Sequence, residues 1–217
     1  MRFDLHIHSN HSSDSGLAVD EILRKAVEMG LDGIAICDHN TVTGNFLARK
    51  RAKELNLPLM VLPGVEVSTT QGHLIVLGAR GNIPSYLTPQ ETISIARKNG
   101  GVIIAAHPFK VNSLGNVEGL DVDAIETFNS RCIFGENKKA EKMAIELGKP
   151  QVGGSDSHML ATIGLGFTEI DAEPDVGSVL NAIREGKTRP GGRIAPIYVI
   201  IFQVMRGVLR RLKKFAP

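Results

Sequence analysis

The chain has seven histidines in 217 residues, and six of them stand in or beside short clusters of potential metal ligands. Asp4-Leu5-His6-Ile7-His8 lies near the start and Gly154-Ser155-Asp156-Ser157-His158 near the end. Between them come Asp38-His39-Asn40, Glu66, His73 and Ala106-His107-Pro108. Side chains two apart on a strand point the same way, so His6 and His8 can grip one ion. Asp156 and His158 repeat that spacing, and a bend there would send them to neighbouring ions. A lone H-x-H pair is as often structural as ligating. Six histidines gathered at or near strand ends point instead to a multinuclear metal site. Cys37, beside Asp38-His39, reads as a small buried strand residue rather than a ligand.

The elements that must position these groups alternate. Strands are predicted over Arg2–His6, Gly33–Cys37, Leu59–Val67, Leu74–Leu77, Val102–Ala106, Ala124–Phe128, Gln151–Gly154 and Phe167–Ile170. Helices are predicted over Val19–Met29, Gly44–Leu55, from Pro89 to Gly100, over Asn137–Leu147 and after Asp175. Thr88-Pro89-Gln90-Glu91 is a capping box with proline at the first helical position. Such alternation predicts an α/β fold with a mainly parallel sheet, closed or nearly closed into a (β/α) barrel. His6, His39, Glu66, His107 and Asp156 then fall at or just past the C-terminal strand ends, the rim where such folds build active sites.

Length and composition suit one large domain, with 42% hydrophobic and 22% charged residues. Tryptophan is absent and aromatics make up 5%, which argues against a surface built to stack bases. The net charge of +2 conceals an asymmetry. From Arg184 onward nine cations face Glu185 alone; taking these from totals of 25 and 23 leaves 16 basic and 22 acidic residues, about −6 for the body. Cys37 and Cys132 form no framework, and no charged-then-apolar leader opens the chain, so a cytoplasmic protein is expected.

From Arg2 to about Ile183 the sequence resembles the polymerase and histidinol phosphatase (PHP) superfamily of metal-dependent phosphoesterases. The stretches that carry the resemblance are Asp4-Leu5-His6-Ile7-His8-Ser9, Gly33 to Asn40, Pro63-Gly64-Val65-Glu66-Val67-Ser68, Ala106-His107-Pro108 and Gly154 to His158. The resemblance implies a distorted (β/α)7 barrel, similar to a TIM barrel, with one predicted strand off it. It also implies three ions: one held by His6, His8, Glu66 and Asp156, a second by Glu66, His73 and His107, a third by Asp14, His39 and His158. Imidazole and carboxylate without thiolate favour Mn, Zn or Fe over Mg or Ca. Two or three such ions would make a bridging hydroxide nucleophile and hold a phosphoryl group in line. Glu66, His158 and Arg131 are the residues expected to carry catalysis. Arg131 belongs to Phe128-Asn129-Ser130-Arg131, which looks like the family's E-x-F-N-x-R stretch, and its guanidinium suits a phosphate. Lys110 is a second candidate for the substrate, His11 a rim residue able to donate a proton, and Asp38 a residue that orients a ligand or bonds backbone.

Expected substrates are a nucleotide, a short oligonucleotide or a small phosphorylated metabolite. The alternatives are a histidinol-phosphatase-like phosphomonoesterase and a non-catalytic metal-binding or adaptor module. A related hydrolase of C–N bonds would need a carboxylated lysine at a strand end, and no lysine is placed for it. The chain divides into a catalytic domain over 1–190 and a tail over 191–217. In the tail Ile197–Met205 is almost wholly apolar, and Val208, Leu209 and Leu212 continue at helical spacing, with Arg206, Arg210 and Lys213 on the other side. That pattern fits a helix packed on the body, peripheral contact with an anionic membrane, or a nucleic-acid or oligomer interface. The apolar part is too short to span a bilayer.

Overall fold

The computed structural model describes residues 1–80, 82–202 and 205. Up to Gly192 the order is β1 Arg2–Ile7, α1 Val19–Glu28, β2 Gly33–Ile36, α2 Thr43–Glu54, β3 Met60–Leu62, β4 Gly64–Ser68, β5 His73–Leu77, α3 Pro89–Lys98, β6 Val102–Ala105, β7 Ala124–Asn129, α4 Glu136–Glu146, β8 Gln151–Gly154, β9 Gly166–Ile170, α5 Val176–Arg184 and β10 Thr188–Gly192. Residues 197–202 are helical. The remaining tail residues that the sequence assigns to a helix, 203–204 and 206–217, lie outside the described set.

The strands form two five-stranded sheets, ordered β10-β9-β1-β2-β3 and β4-β5-β6-β7-β8. Among the described residues the ladders do not close into one seven-stranded ring. The expected excess of parallel pairs is also absent. β1–β2, β2–β3, β6–β7 and β7–β8 are parallel, whereas β1–β9, β9–β10, β4–β5 and β5–β6 are antiparallel. Chain length explains one of the reversals. β4 and β5 are joined by a tight turn closed by Thr69 N–H donating to Gly72 O, and a parallel pair needs a crossover of roughly a dozen residues.

The single strand expected over Leu59–Val67 is two strands on different sheets. Pro63 has no N–H to give to a ladder, so pairing stops there and the chain crosses from one sheet to the other. The sheets meet again at the rim through two isolated bridges, Ile7 with Ser157 and His39 with Glu66. Both bridges involve or adjoin the histidine clusters.

Between the sheets lies one core built from both: Phe3, Leu5, Cys37, Leu62, Ile75, Leu77, Ile104 and Val152. Helix α5 adds Val179, Leu180 and Ile183 to it, and comes so close to the end of β5 that a Cβ at Gly78 would sit 2.5 Å from Leu180 Cδ1. Outside the sheets, α1 and α2 cover β1–β3, while α3 and α4 cover β4–β7. Helix α3 begins as its sequence predicts, with Thr88 Oγ1 accepting from Glu91 N–H and Glu91 accepting from Thr88 N–H.

Candidate metal centre

Strand β1 is buried on both faces. Phe3 and Leu5 enter the inter-sheet core, and the alternate residues Asp4, His6 and His8 are fully buried as well. A buried polar group must find a partner. Asp4 accepts from Ser155 N–H at 2.9 Å and Gly164 N–H at 2.9 Å, and burial pushes its carboxyl up to about 6. His8 N–H donates to Ser157 O at 2.9 Å, and Ser157 N–H to His6 O at 3.2 Å. The two clusters at opposite ends of the sequence are therefore hydrogen-bonded to each other.

The second meeting point lies one strand over. Asn40 N–H donates to Glu66 O at 2.9 Å and Glu66 N–H to Asp38 O at 3.2 Å, which sets His39 beside Glu66. His73 opens β5 opposite Ser68, the last residue of β4. Because β5 runs antiparallel, its first residue reaches the same rim as the last residues of its neighbours. His107 follows β6 at φ +29°, and Asp156 follows β8 at φ +52°. Neither is glycine, and such backbone is held only where its surroundings demand it.

Glu66 is the centre of the arrangement. Its Oε1 lies 3.3 Å from His73 Nδ1 and 3.2 Å from His107 Nε2. Its Oε2 lies 3.3 Å from His6 Nε2, 3.2 Å from His8 Nε2 and 3.3 Å from His39 Nδ1. Asp156 Oδ1 stands 3.9 Å from His6 Nε2 and 3.6 Å from His8 Nε2. Asp14 Oδ2 gathers His158 Nε2 at 2.8 Å and His39 Nε2 at 3.4 Å. All nine residues expected as ligands are thus brought to one rim, in three neighbouring groups. His11 is exposed in the loop after β1. Cys37 lies in the core with its thiol directed at Leu5 O. Asp38 accepts from both the Ser9 amide and the Ser9 hydroxyl, at 2.6 and 2.7 Å, and so ties down the loop that carries Asp14.

The donor set fits divalent cations. A carboxylate has about four lone-pair sites, yet five imidazole nitrogens crowd Glu66. Their spacing of 3.2–3.3 Å exceeds the roughly 2.7–2.9 Å of a direct charged hydrogen bond. Nδ1 of His8, of His39 and of His73 are buried without a hydrogen-bond partner among the described residues. Cations seated beside Glu66 would satisfy the His39 and His73 Nδ1 atoms, which both face it. Imidazole and carboxylate oxygen can be drawn together in four triads: His6–Glu66–His107, His6–His8–Asp156, His8–His39–Glu66 and His8–Asp14–His158.

Electrostatics prepares the donors. Burial would raise Glu66, but the His39 and His6 imidazoles reverse this and hold it well below the usual carboxylate range. Burial would raise Asp156 too, and Arg131, Lys110 and His6 hold it low. Burial pushes His73 down to about 4 and, with His8 and Arg131 adding to it, His158 to about 4, so both present neutral lone pairs. His39 is opposed by burial but lifted by Glu66 and Asp14 to about 9.

Glu126 on β7 heads the E-x-F-N-x-R stretch, although the sequence reading assigns a role only to Arg131. Its Oε1 lies 3.0 Å from His6 Nδ1, and its Oε2 accepts from His107 N–H at 2.8 Å and from Asn129 Nδ2 at 3.1 Å. The signal was its place at the head of that stretch, on a strand buried from Ala124 to Thr127. Arg131 NH1 lies 2.9 Å from Asp156 Oδ1 and 3.1 Å from His158 Nδ1, and its buried Nε has no hydrogen-bond partner among the described residues. Lys110 Nζ bonds Asp156 Oδ2.

Together these features describe an α/β protein with a histidine- and carboxylate-lined cluster at one rim of its strands. The chain belongs to the PHP family: the PHP domain model matches residues 4–108, and the PHP-associated model matches residues 134–188. An uncharacterized protein of Methanocaldococcus jannaschii is 36% identical over 143 residues, covering 60% of this chain and 82% of that one. A 5'-3' exoribonuclease of Haemophilus influenzae is 40% identical over 68 residues, but these are only 31% of this chain and 24% of the enzyme. Among solved structures, a two-domain Bacteroides vulgatus protein containing a predicted PHP-like metal-dependent phosphoesterase superposes with a TM-score of 0.76 at 18% identity, over 89% of this chain and 65% of that one. PsfC from Pseudomonas syringae superposes with a TM-score of 0.70 at 18% identity, over 97% of each chain. At these identities the structural likeness is one of fold.

Proposed function

We propose that this protein is a metal-dependent phosphoesterase that hydrolyses a nucleotide, a short oligonucleotide or a small phosphorylated metabolite. The observation that carries the reading is the convergence of five imidazoles on the buried Glu66 carboxylate. In it, Glu66, His6, His8 and Asp156 would hold one ion, and Glu66, His73 and His107 would hold a second. Asp14, His39 and His158 form a third seat. Two or three ions of Mn, Zn or Fe would supply a water ionised near neutral pH and neutralise the phosphoryl oxygens.

The protein groups do the rest. Arg131 holds NH1 on Asp156, and its guanidinium sets a permanent positive charge beside the cluster, suited to a phosphoryl group. Lys110 adds a second cation on the same carboxylate. His158, held neutral, offers a lone pair rather than a proton. Glu126 fixes the His6 ring through Nδ1, so that Nε2 faces the cluster. The partial likeness to 5'-3' exoribonucleases favours nucleotide or oligonucleotide substrates over histidinol phosphate.

Purified protein reloaded separately with Mn, Zn or Fe should hydrolyse at least one of a phosphomonoester, a cyclic phosphate or a short oligonucleotide. Glu66→Gln should abolish that activity. No hydrolysis with any metal, or native rates in the Glu66 variant, would remove the phosphoesterase reading.

A further inference from the structure

Beyond β10 the chain is pinned to the body. Arg193 N–H donates to Leu165 O at 2.8 Å and Ala195 N–H to Ser130 O at 2.7 Å. Val199 and Ile200 are buried, and Ala195 and Ile200 form a small apolar cluster with Leu165 and Ile133. This seat fixes which way residues 197–202 face. Ile197, Tyr198, Ile201, Phe202 and Met205 are each more than half exposed. Their positions, i, i+1, i+4, i+5 and i+8, share one side of a helix. Single exposed apolar residues are ordinary, but five on one face mark a surface meant to be covered.

Charge indicates what covers it. Glu185 is the last acidic residue of the chain, and Arg206, Arg210, Arg211, Lys213 and Lys214 follow the apolar face. We propose that this face docks on an anionic lipid bilayer, with the five apolar side chains in the acyl boundary and the basic segment against the headgroups. Apolar insertion and attraction of cations to anionic lipid act together in such binding. A nucleic acid would engage the cations yet leave Ile201 and Phe202 in water. A second copy paired on this face would cover the apolar side chains without using the cations that follow them. No helix among the described residues is long and apolar enough to cross a membrane.

The test is sedimentation of the full chain with vesicles of phosphatidylcholine alone and of phosphatidylcholine mixed with phosphatidylglycerol. Pelleting is expected with the anionic vesicles only. Replacing one cation should weaken it about fivefold, the equivalent of about 1 kcal/mol per basic residue, with Arg210→Glu/Arg211→Glu weaker still. Ile201→Ser/Phe202→Ser should lower it at least about a hundredfold, the scale of losing two buried apolar side chains. Both residues are exposed, so unchanged hydrolysis of a soluble phosphate ester is expected in that variant. Absent pelleting, equal pelleting with both vesicles, or native pelleting of Ile201→Ser/Phe202→Ser overturns the proposal. A dimer dissociated by that variant without lipid binding, or RNA binding in place of vesicle binding, overturns it equally.

Discussion

Glu66 and Glu126 show how two carboxylates of one type take different tasks from their surroundings. Glu66 faces five imidazole nitrogens and is held ionised; Glu126 stands one layer behind, bonded to the far nitrogen of His6 and to the His107 amide. A residue behind a ligand fixes its tautomer and ring angle, and its loss typically costs about 10–100-fold in metal affinity or activity. Glu126→Gln keeps the shape but turns one oxygen into an amide donor. We expect a loss within that range, read as lower bound metal by elemental analysis and slower hydrolysis. Native metal content and rate in this variant would mean that His6 is oriented by packing alone.

At the scale of elements, the site depends on how closely β8 and β9 approach. A Cβ at Gly166 would fall 2.1 Å from Gly154 O and 3.0 Å from Ser155 N. Both contacts are backbone, so neither can rotate away. Gly154 ends β8 and leads directly to Asp156 and His158. Gly166→Ala should therefore cost about 1–3 kcal/mol by overpacking and lower the metal content as well, because it displaces the backbone of two proposed ligands. Thermal unfolding and elemental analysis of the same preparation check both; a destabilised variant with full metal content would separate the strand contact from the site.

For the whole molecule, the cluster draws residues from both sheets, so ions seated there would tie the sheets together. A ligand present at about 100 times its Kd adds about 2.7 kcal/mol, and each kcal/mol shifts the Tm of a domain this size by roughly 2–4 °C. Metal should therefore raise the Tm by roughly 5–10 °C, and a chelator should reverse it. The gain should also depend on pH. His39 rises from 6.5 to about 9 in the metal-free protein. Its contribution is complete below pH 6.5 and is lost as pH rises through 9. Across the same window the ring gives up the proton that a metal must displace. The metal-dependent gain in Tm should be larger at pH 9 than at pH 6.5, and an equal gain at both would show that His39 does not ligate.

Much of this was readable along the chain because its causes are local. Thr88-Pro89-Gln90-Glu91 starts α3 through bonds made within four residues, and the apolar spacing of α1 and α5 reports the face each buries. The ligand residue types were also plain, since clustered imidazole and carboxylate have few other uses. What the sequence alone left undecided was pairing between distant segments. Pro63 hid a crossing from one sheet to the other inside a continuous apolar run, and the antiparallel course of β5 is what brings His73 to the rim. Glu126 acquires its role only because β7 lies beside both β6 and β8, in reach of His6 and His107. Side-chain chemistry is a property of each residue, whereas shared coordination is a property of positions in space, and only the folded chain sets those.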